Sequence, residues 1–145
     1  MNINNLLKEL QEALENDFKD NFTGLVLFGS YAKAAQKPNS DIDLILTFKK
    51  LPENRLDRLR LIEDVIDSIE DKYKIAINPI VSNEEKLQKT YLLIDIADYA
   101  KIIVDKNKKI TTLFNSIKKD YKKGLAQKKK VGDHYILWIS DEISA

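Results

Sequence analysis

Gly29-Ser30-Tyr31-Ala32-Lys33-Ala34-Ala35-Gln36-Lys37-Pro38-Asn39-Ser40-Asp41-Ile42-Asp43-Leu44 is the stretch on which the fold turns. It follows an apolar run, Leu25-Val26-Leu27-Phe28, that reads as a buried strand, and it leads into a second strand opened by two aspartates one residue apart. Successive side chains of a strand point to opposite faces, so Asp41 and Asp43 are expected on one face and Ile42 and Leu44 on the other. Glycine lets a backbone approach a phosphate with no Cβ in the way. A helix beginning near Ser30 would add free amides and a hydroxyl, and paired carboxylates suit hard divalent ions. Lys33 and Lys37 follow closely enough to meet outer phosphates. This order of parts suggests a site for phosphates and divalent metal.

Outward from this stretch, strands alternate with helices. Ile3, Leu6, Leu7, Leu10, Leu14 and Phe18 recur at threes and fours, which predicts an amphipathic helix over residues 3–18 capped by Asn2 or Asn4. Residues 22–28 form the first expected strand, 31–36 a short helix stopped before Pro38, and 41–48 the second strand. Leu56, Leu59, Ile62, Val65, Ile66 and Ile69 predict a long helix over 53–72. Residues 75–81 read as a third strand, in which Pro79 lacks an amide donor and points to an edge or an early exit. Beyond it the pattern predicts a helix over 84–98 capped by Ser82 or Asn83, and a short strand over 101–105. A helix follows from Ile110 to about Gly124, then a mobile turn over 128–133 and a last strand over 134–139. The expected class is α/β or α+β, in a single domain over 1–145. Its core would span about 1–105, followed by a basic C-terminal helix and short final strand.

Composition narrows the chemistry. The 145 residues are 43% hydrophobic and 32% charged, as in a folded globular chain. With no cysteine and a single histidine, His134, disulfides, thiolate zinc sites, cysteine nucleophiles and Ser-His-Asp sites are all disfavoured. Metal chemistry would rest on carboxylates. No apolar run approaches membrane-spanning length, and the cytoplasm is the expected location. Net charge is +1, but lysines 106, 108, 109, 118, 119, 122, 123, 128, 129 and 130 face only one acid between them, Asp120. That lysine-rich third reads as a solvated face or as a surface for nucleic acid or another acidic partner. His134 reads as a surface or half-buried residue, Trp138 as a core anchor, Tyr121 as packing, and Asp95 and Asp98 as solvating or lysine-paired.

The Gly-Ser turn, short helix and Asp-x-Asp strand together resemble the signature of the DNA polymerase beta-like nucleotidyltransferase superfamily. The short chain is similar to its minimal nucleotidyltransferase branch, many of whose members are antitoxins paired with helical HEPN ribonuclease toxins. The resemblance is carried by residues 23–48 and becomes diffuse toward residue 105. It implies a nucleotidyltransferase fold, a mixed β-sheet flanked by helices, in which Gly29 and Ser30 bind the β and γ phosphates of ATP, with Lys33 nearby, and Asp41 and Asp43 hold two Mg²⁺ ions. It also implies transfer of AMP from ATP to a tyrosine of a HEPN partner, with release of pyrophosphate. Lys33 stands where arginine is common and Ala34 where a second glycine is usual. The family places a third carboxylate on the following strand, which here reads Tyr73-Lys74-Ile75-Ala76-Ile77-Asn78-Pro79-Ile80-Val81. Asn78 is the residue for that third position, and an amide offers a metal an oxygen but accepts no proton at neutral pH. Glu84 or Glu85, folded back, is another source of a carboxylate, and a substrate tyrosine whose pKa is lowered by metal coordination would need no strong base. Two alternatives stay open beside transfer to protein: a nucleotide-binding pseudoenzyme that neutralises its partner by contact, and an RNA-directed nucleotidyltransferase using the lysine surface.

Overall fold

The computed structural model describes residues 2–143. The leucines spaced at threes and fours form helix α1, Ile3–Phe18, with Leu6, Leu7, Leu10 and Leu14 buried and the Asn2 side chain accepting from the Asn4 amide at 2.9 Å. Strand β1, Phe22–Phe28, is buried over its first six residues. It is followed by helix α2, Gly29–Ala32, and strand β2, Ile42–Phe48. Helix α3, Arg55–Tyr73, begins under an Asn54 cap and leads to strand β3, Ile77–Asn83. Helix α4, Tyr91–Ile96, strand β4, Lys101–Asp105, and helix α5, Lys109–Lys122, complete the layers.

The sheet has the order β3-β2-β1-β4. β1 runs antiparallel to β2 and β4, while β2 and β3 are parallel, so the sheet is mixed as expected. Side-chain alternation sorts the core into two layers. Leu25, Leu27, Leu44, Leu46 and Phe48 pack with α1 and α3, whereas Val26 and Ile45 pack with the apolar faces of α4 and α5. Asp43 falls in the alternation with Ile45, on the α4 and α5 side. Pro79 lies in β3, an edge strand, where a missing amide breaks no ladder on the outer side.

Several expectations need correction. The helix expected over 31–36 begins at Gly29 and ends at Ala32. Ala34 adopts a left-handed φ of 55°, and the Ala35 amide donates to the Ser30 carbonyl at 2.9 Å, a six-residue closure that stops the helix. That left-handed residue is the position at which the resembled family carries glycine. The helix expected over 84–98 is broken in two. Asn83 caps a single 3₁₀ turn, Glu84–Lys86, and Thr90 caps α4 by accepting from the Leu93 amide at 3.3 Å. Two capping side chains seven residues apart claim amides that a continuous helix would have used internally.

The turn expected over 128–133 is mostly strand β5, Ala126–Val131, paired antiparallel with strand β6, His134–Ile139. Only Gly132 and Asp133 turn, with Gly132 at a φ of 61°, as a two-residue hairpin loop requires. Leu137 and Ile139 pack on the α4 and α5 core. Trp138 is not a core anchor: it pairs with Gln127 on the outer hairpin face, which no layer covers among the described residues, and is 53% exposed.

Asp120, the lone acid among the lysines, is buried against Lys89, with Nζ to Oδ2 at 2.7 Å and each side chain about 10% exposed. Asp120→Ala leaves a buried ammonium without its partner, so unfolding free energy is expected to fall by about 3 kcal/mol, read from the urea midpoint. A loss below about 1 kcal/mol would show the pair to be solvated in practice. Tyr121 donates its hydroxyl to the Ile94 carbonyl at 2.7 Å, and burial pushes its pKa up from 10.0 to about 12, helped by the charges of Asp98 and Asp95. The unfolded tyrosine loses its proton near pH 10 while the folded one keeps it. Stability is therefore expected to fall as pH rises from about 10 to about 12. Tyr121→Phe removes that component; identical alkaline unfolding curves for the two proteins would contradict it.

Among the described residues, no helix is long and apolar enough to cross a membrane.

Candidate functional site

The turn from β1 into α2 and the start of β2 meet because Phe28 pairs with Asp43 across the antiparallel ladder. Gly29 has a φ of 72°, and a Cβ built there would lie 2.1 Å from Asp43 Oδ2. The Asp43 carboxylate thus occupies the space that any other residue at position 29 would fill. On its other side β3 brings Asn78 into register with Asp43, and Asn78 Nδ2 lies 3.4 Å from Asp43 Oδ1. Asn78 is held at this point by its neighbour, since the Ile77 amide donates to Glu70 Oε2 at 2.8 Å. Gly29, Asp43 and Asn78, distant in sequence, therefore form one cluster at one end of the sheet, across the neighbouring ends of β1, β2 and β3.

Asp41 precedes β2 by one residue and is exposed. Ser30 lies within the single turn of α2, half-buried, and Lys33 is exposed at its C-terminal end. Neither Glu84 nor Glu85 returns to the cluster. Both follow the far end of β3: the buried Glu84 carboxylate accepts from Asn107 Nδ2 at 3.2 and 3.0 Å, and Glu85 lies 3.7 Å from Lys109 Nζ. Five residues of strand separate Asn78 from Asn83, about 16 Å at the usual rise. Among the described residues, no group of three or more histidines, cysteines, aspartates or glutamates is placed to hold an ion.

The donor set still suits one kind of cation. Magnesium keeps most of its waters, takes one or two carboxylates and completes its shell with substrate phosphates. Asp43 offers such a carboxylate, Asp41 is two residues away, and Asn78 offers an amide oxygen if the side chain is turned about its last bond. A metal arriving with a triphosphate fits these residues; a protein-only cage does not.

Tyr99 is the site neighbour that sequence reading missed. Its hydroxyl accepts from the Gly29 amide at 3.3 Å. Lys33 Nζ stands 4.4 Å from the centre of its ring, and Lys128 Nζ stands 5.5 Å from it. Lys128 in turn bonds Asp98 at 2.8 Å, approaches Asp95 at 3.5 Å and donates to the Asp95 carbonyl, so α4 and the hairpin are tied together beside the turn. Burial pushes the Tyr99 pKa up; the Gly29 amide opposes this, and the charges of Asp95, Asp98 and Asp43 add to it. A neutral hydroxyl that accepts from an amide keeps a proton to donate, and at this place a phosphate oxygen is a suitable acceptor. No local pattern announces the role, because Tyr99 lies 70 residues from Gly29. Asp95 and Asp98 are lysine-paired, as one of their expected readings had it, and His134 is exposed on β6.

The profile of the nucleotidyltransferase domain matches residues 7–130. A candidate protein adenylyltransferase of Methanocaldococcus jannaschii is 35% identical over 79 residues, 54% of this chain and 54% of the relative, so the match spans about half of that protein. A second candidate protein adenylyltransferase of the same organism is 29% identical over 99 residues, 68% of this chain and 96% of the relative. A solved toxin–antitoxin crystal structure with AMP-PNP contains a chain that superposes with a TM-score of 0.56 at 15% identity, covering 80% of this chain and 86% of that one. At that identity the likeness is one of fold.

Proposed function

The chain belongs to the nucleotidyltransferase domain family, and from that premise we propose that it binds Mg²⁺·ATP at the Gly29–Asp43 turn and transfers AMP to a tyrosine hydroxyl of a partner protein. The partner proposed is a helical HEPN-type toxin, silenced by the modification, with this chain as its cytoplasmic antitoxin. The observation that carries the reading is the Asp43 carboxylate seated against Gly29, with Asn78 at its other oxygen.

In this reading the amides at the start of α2, with Ser30 and Lys33, receive the β and γ phosphates. Asp41 and Asp43 would hold the two Mg²⁺ ions. When bound, Mg²⁺ neutralises the triphosphate and polarises the phosphorus under attack. The tyrosine oxygen forms a bond to the α-phosphorus, the bond from that phosphorus to the α–β bridging oxygen breaks, and its electrons leave with pyrophosphate. Asn78 takes no proton, so the phenolic proton passes to water. Tyr99 orients the Gly29 amide.

Calorimetric titration with Mg²⁺·ATP is expected to give saturable binding that EDTA weakens at least tenfold; absence of heat with either form of ATP would sink the proposal. Asn78 also favours a second reading, nucleotide binding with neutralisation by contact alone. Toxin protection that survives Asp41→Ala/Asp43→Ala would select it.

A further inference from the structure

All three arginines of the chain, Arg55, Arg58 and Arg60, fall within six residues at the start of α3. Every other long-chain cation is a lysine. Arginine differs from lysine in presenting a planar fork that grips a carboxylate or phosphate with two parallel bonds and loses less hydration in doing so. The arginine cluster lies beside β3, whose outer side has no partner strand among the described residues. Arg55, Arg58 and Leu59 of α3 and Pro79, Ile80 and Val81 of β3 line a groove of about 240 Å³ along that edge, with no acidic residue among them. Arg58 Nε donates to the Pro52 carbonyl at 2.6 Å, which orients its guanidinium and uses one of five N–H donors. Ile80, in the groove, is 42% exposed, and Leu56, at the same end of α3, is 62% exposed.

The position of the groove gives it meaning. The strand that forms one wall also carries Asn78, in contact with Asp43. Asn78 and Val81 are three residues apart, about 10 Å along a strand. Open sheet edges bind extended peptides through main-chain hydrogen bonds, with side-chain pockets supplying specificity. Pro79 removes one amide from the edge and Glu70 takes that of Ile77, which blunts long sheet-to-sheet pairing while leaving the stretch around Ile80 and Val81 for a short segment. The walls are aliphatic and lack the aromatic platforms on which single-stranded bases stack, so a polypeptide suits the groove better than a nucleic acid.

We infer that the open edge of β3 is the docking surface for the acceptor polypeptide, an extended acidic segment whose carboxylate sits on Arg55 and Arg58. An apolar side chain of that segment lies over Leu59 and Ile80, and its acceptor hydroxyl, about three residues away, reaches Asp43 and Asn78. The inference rests on residues 29–43 being the nucleotide site, and its test separates the two.

Full-length chain, labelled and free of nucleotide, is applied to an array of tyrosine-centred nonapeptides with randomised flanks. The expected result is selection of aspartate or glutamate three or four positions from the tyrosine, with an aliphatic residue between. Arg55→Glu/Arg58→Glu is expected to lose that selection at least tenfold while keeping its melting transition and its Mg²⁺·ATP affinity within twofold. Arg55→Gln, which disturbs no backbone bond, is expected to weaken it about fivefold. No acidic selection by the wild type, or unchanged selection by the double variant, overturns the inference. It is equally overturned if RNA displaces the peptides and binds through the same arginines, or if sedimentation finds a dimer that the double variant dissolves. A wild type that selects acidic peptides yet gives no heat with Mg²⁺·ATP would instead sink the nucleotide site and leave the acidic-peptide edge in place.

Discussion

Asn78→Asp is expected to raise the rate of AMP transfer on the order of 100-fold at saturating Mg²⁺ and ATP. The β2–β3 register puts residue 78 directly beside Asp43, and its side chain already lies 3.4 Å from Asp43 Oδ1. Aspartate is the same size as asparagine and enters the same space. It adds what the amide lacks, a proton acceptor for the attacking hydroxyl and a second anionic oxygen for a cation shared with Asp43. Two carboxylates so close repel when no cation lies between them. The variant should therefore melt below wild type in EDTA and regain the difference in Mg²⁺. The measurement is incorporation of label from α-labelled ATP into a tyrosine-containing acceptor. A variant that binds Mg²⁺·ATP as tightly as wild type but transfers no faster would show that β3 supplies no base in this fold.

Gly29→Ala is expected to cost at least about 1.4 kcal/mol of Mg²⁺·ATP binding, tenfold or more in affinity. Two separate reasons converge on this position. The φ of 72° is strained for any residue with a Cβ, and that Cβ would sit 2.1 Å from Asp43 Oδ2 and 3.0 Å from its Cγ. Asp43 must swing away, taking the proposed metal carboxylate with it. The backbone strain alone is expected to lower stability by roughly 1–2 kcal/mol. Asp43→Ala opens the space, so Gly29→Ala/Asp43→Ala should be more stable than the sum of the single losses predicts, and no weaker in ATP binding than Asp43→Ala alone. Undiminished ATP affinity in Gly29→Ala would remove the turn from the nucleotide site.

Much of this fold was legible because it depends on short-range periodicity. Leucines at threes and fours in α1, the apolar run of β1 and the i, i+2 pattern of β2 each report burial through local geometry alone. The proline in β3 likewise pointed to an edge or an early exit, and the strand runs on to Asn83 at the edge. What failed was governed by competition or by distance. Thr90 could cap or continue a helix, and only the packing of Leu93, Ile94 and Ile96 settles where α4 begins. Lys128-Lys129-Lys130 reads as a turn by composition, yet it is a strand because β6 offers a ladder and because Asp95 and Asp98 hold Lys128. Trp138 carries the residue type of a core and the position of an outer hairpin face.

The sequence by itself determined the order of strand, glycine turn, short helix and aspartate strand, and with it the family resemblance. Local steric and hydrophobic rules are enough for that, since each residue's neighbours lie within a turn or a pleat. Only the tertiary structure decided that Asn78 stands beside Asp43, that Tyr99 meets the Gly29 amide, and that Glu84 and Glu85 are spent elsewhere. Those facts depend on strand order, parallel register and helix packing across tens of residues. A carboxylate and an amide separated by 35 positions come within 3.4 Å through the alignment of two strands, which no local spacing encodes.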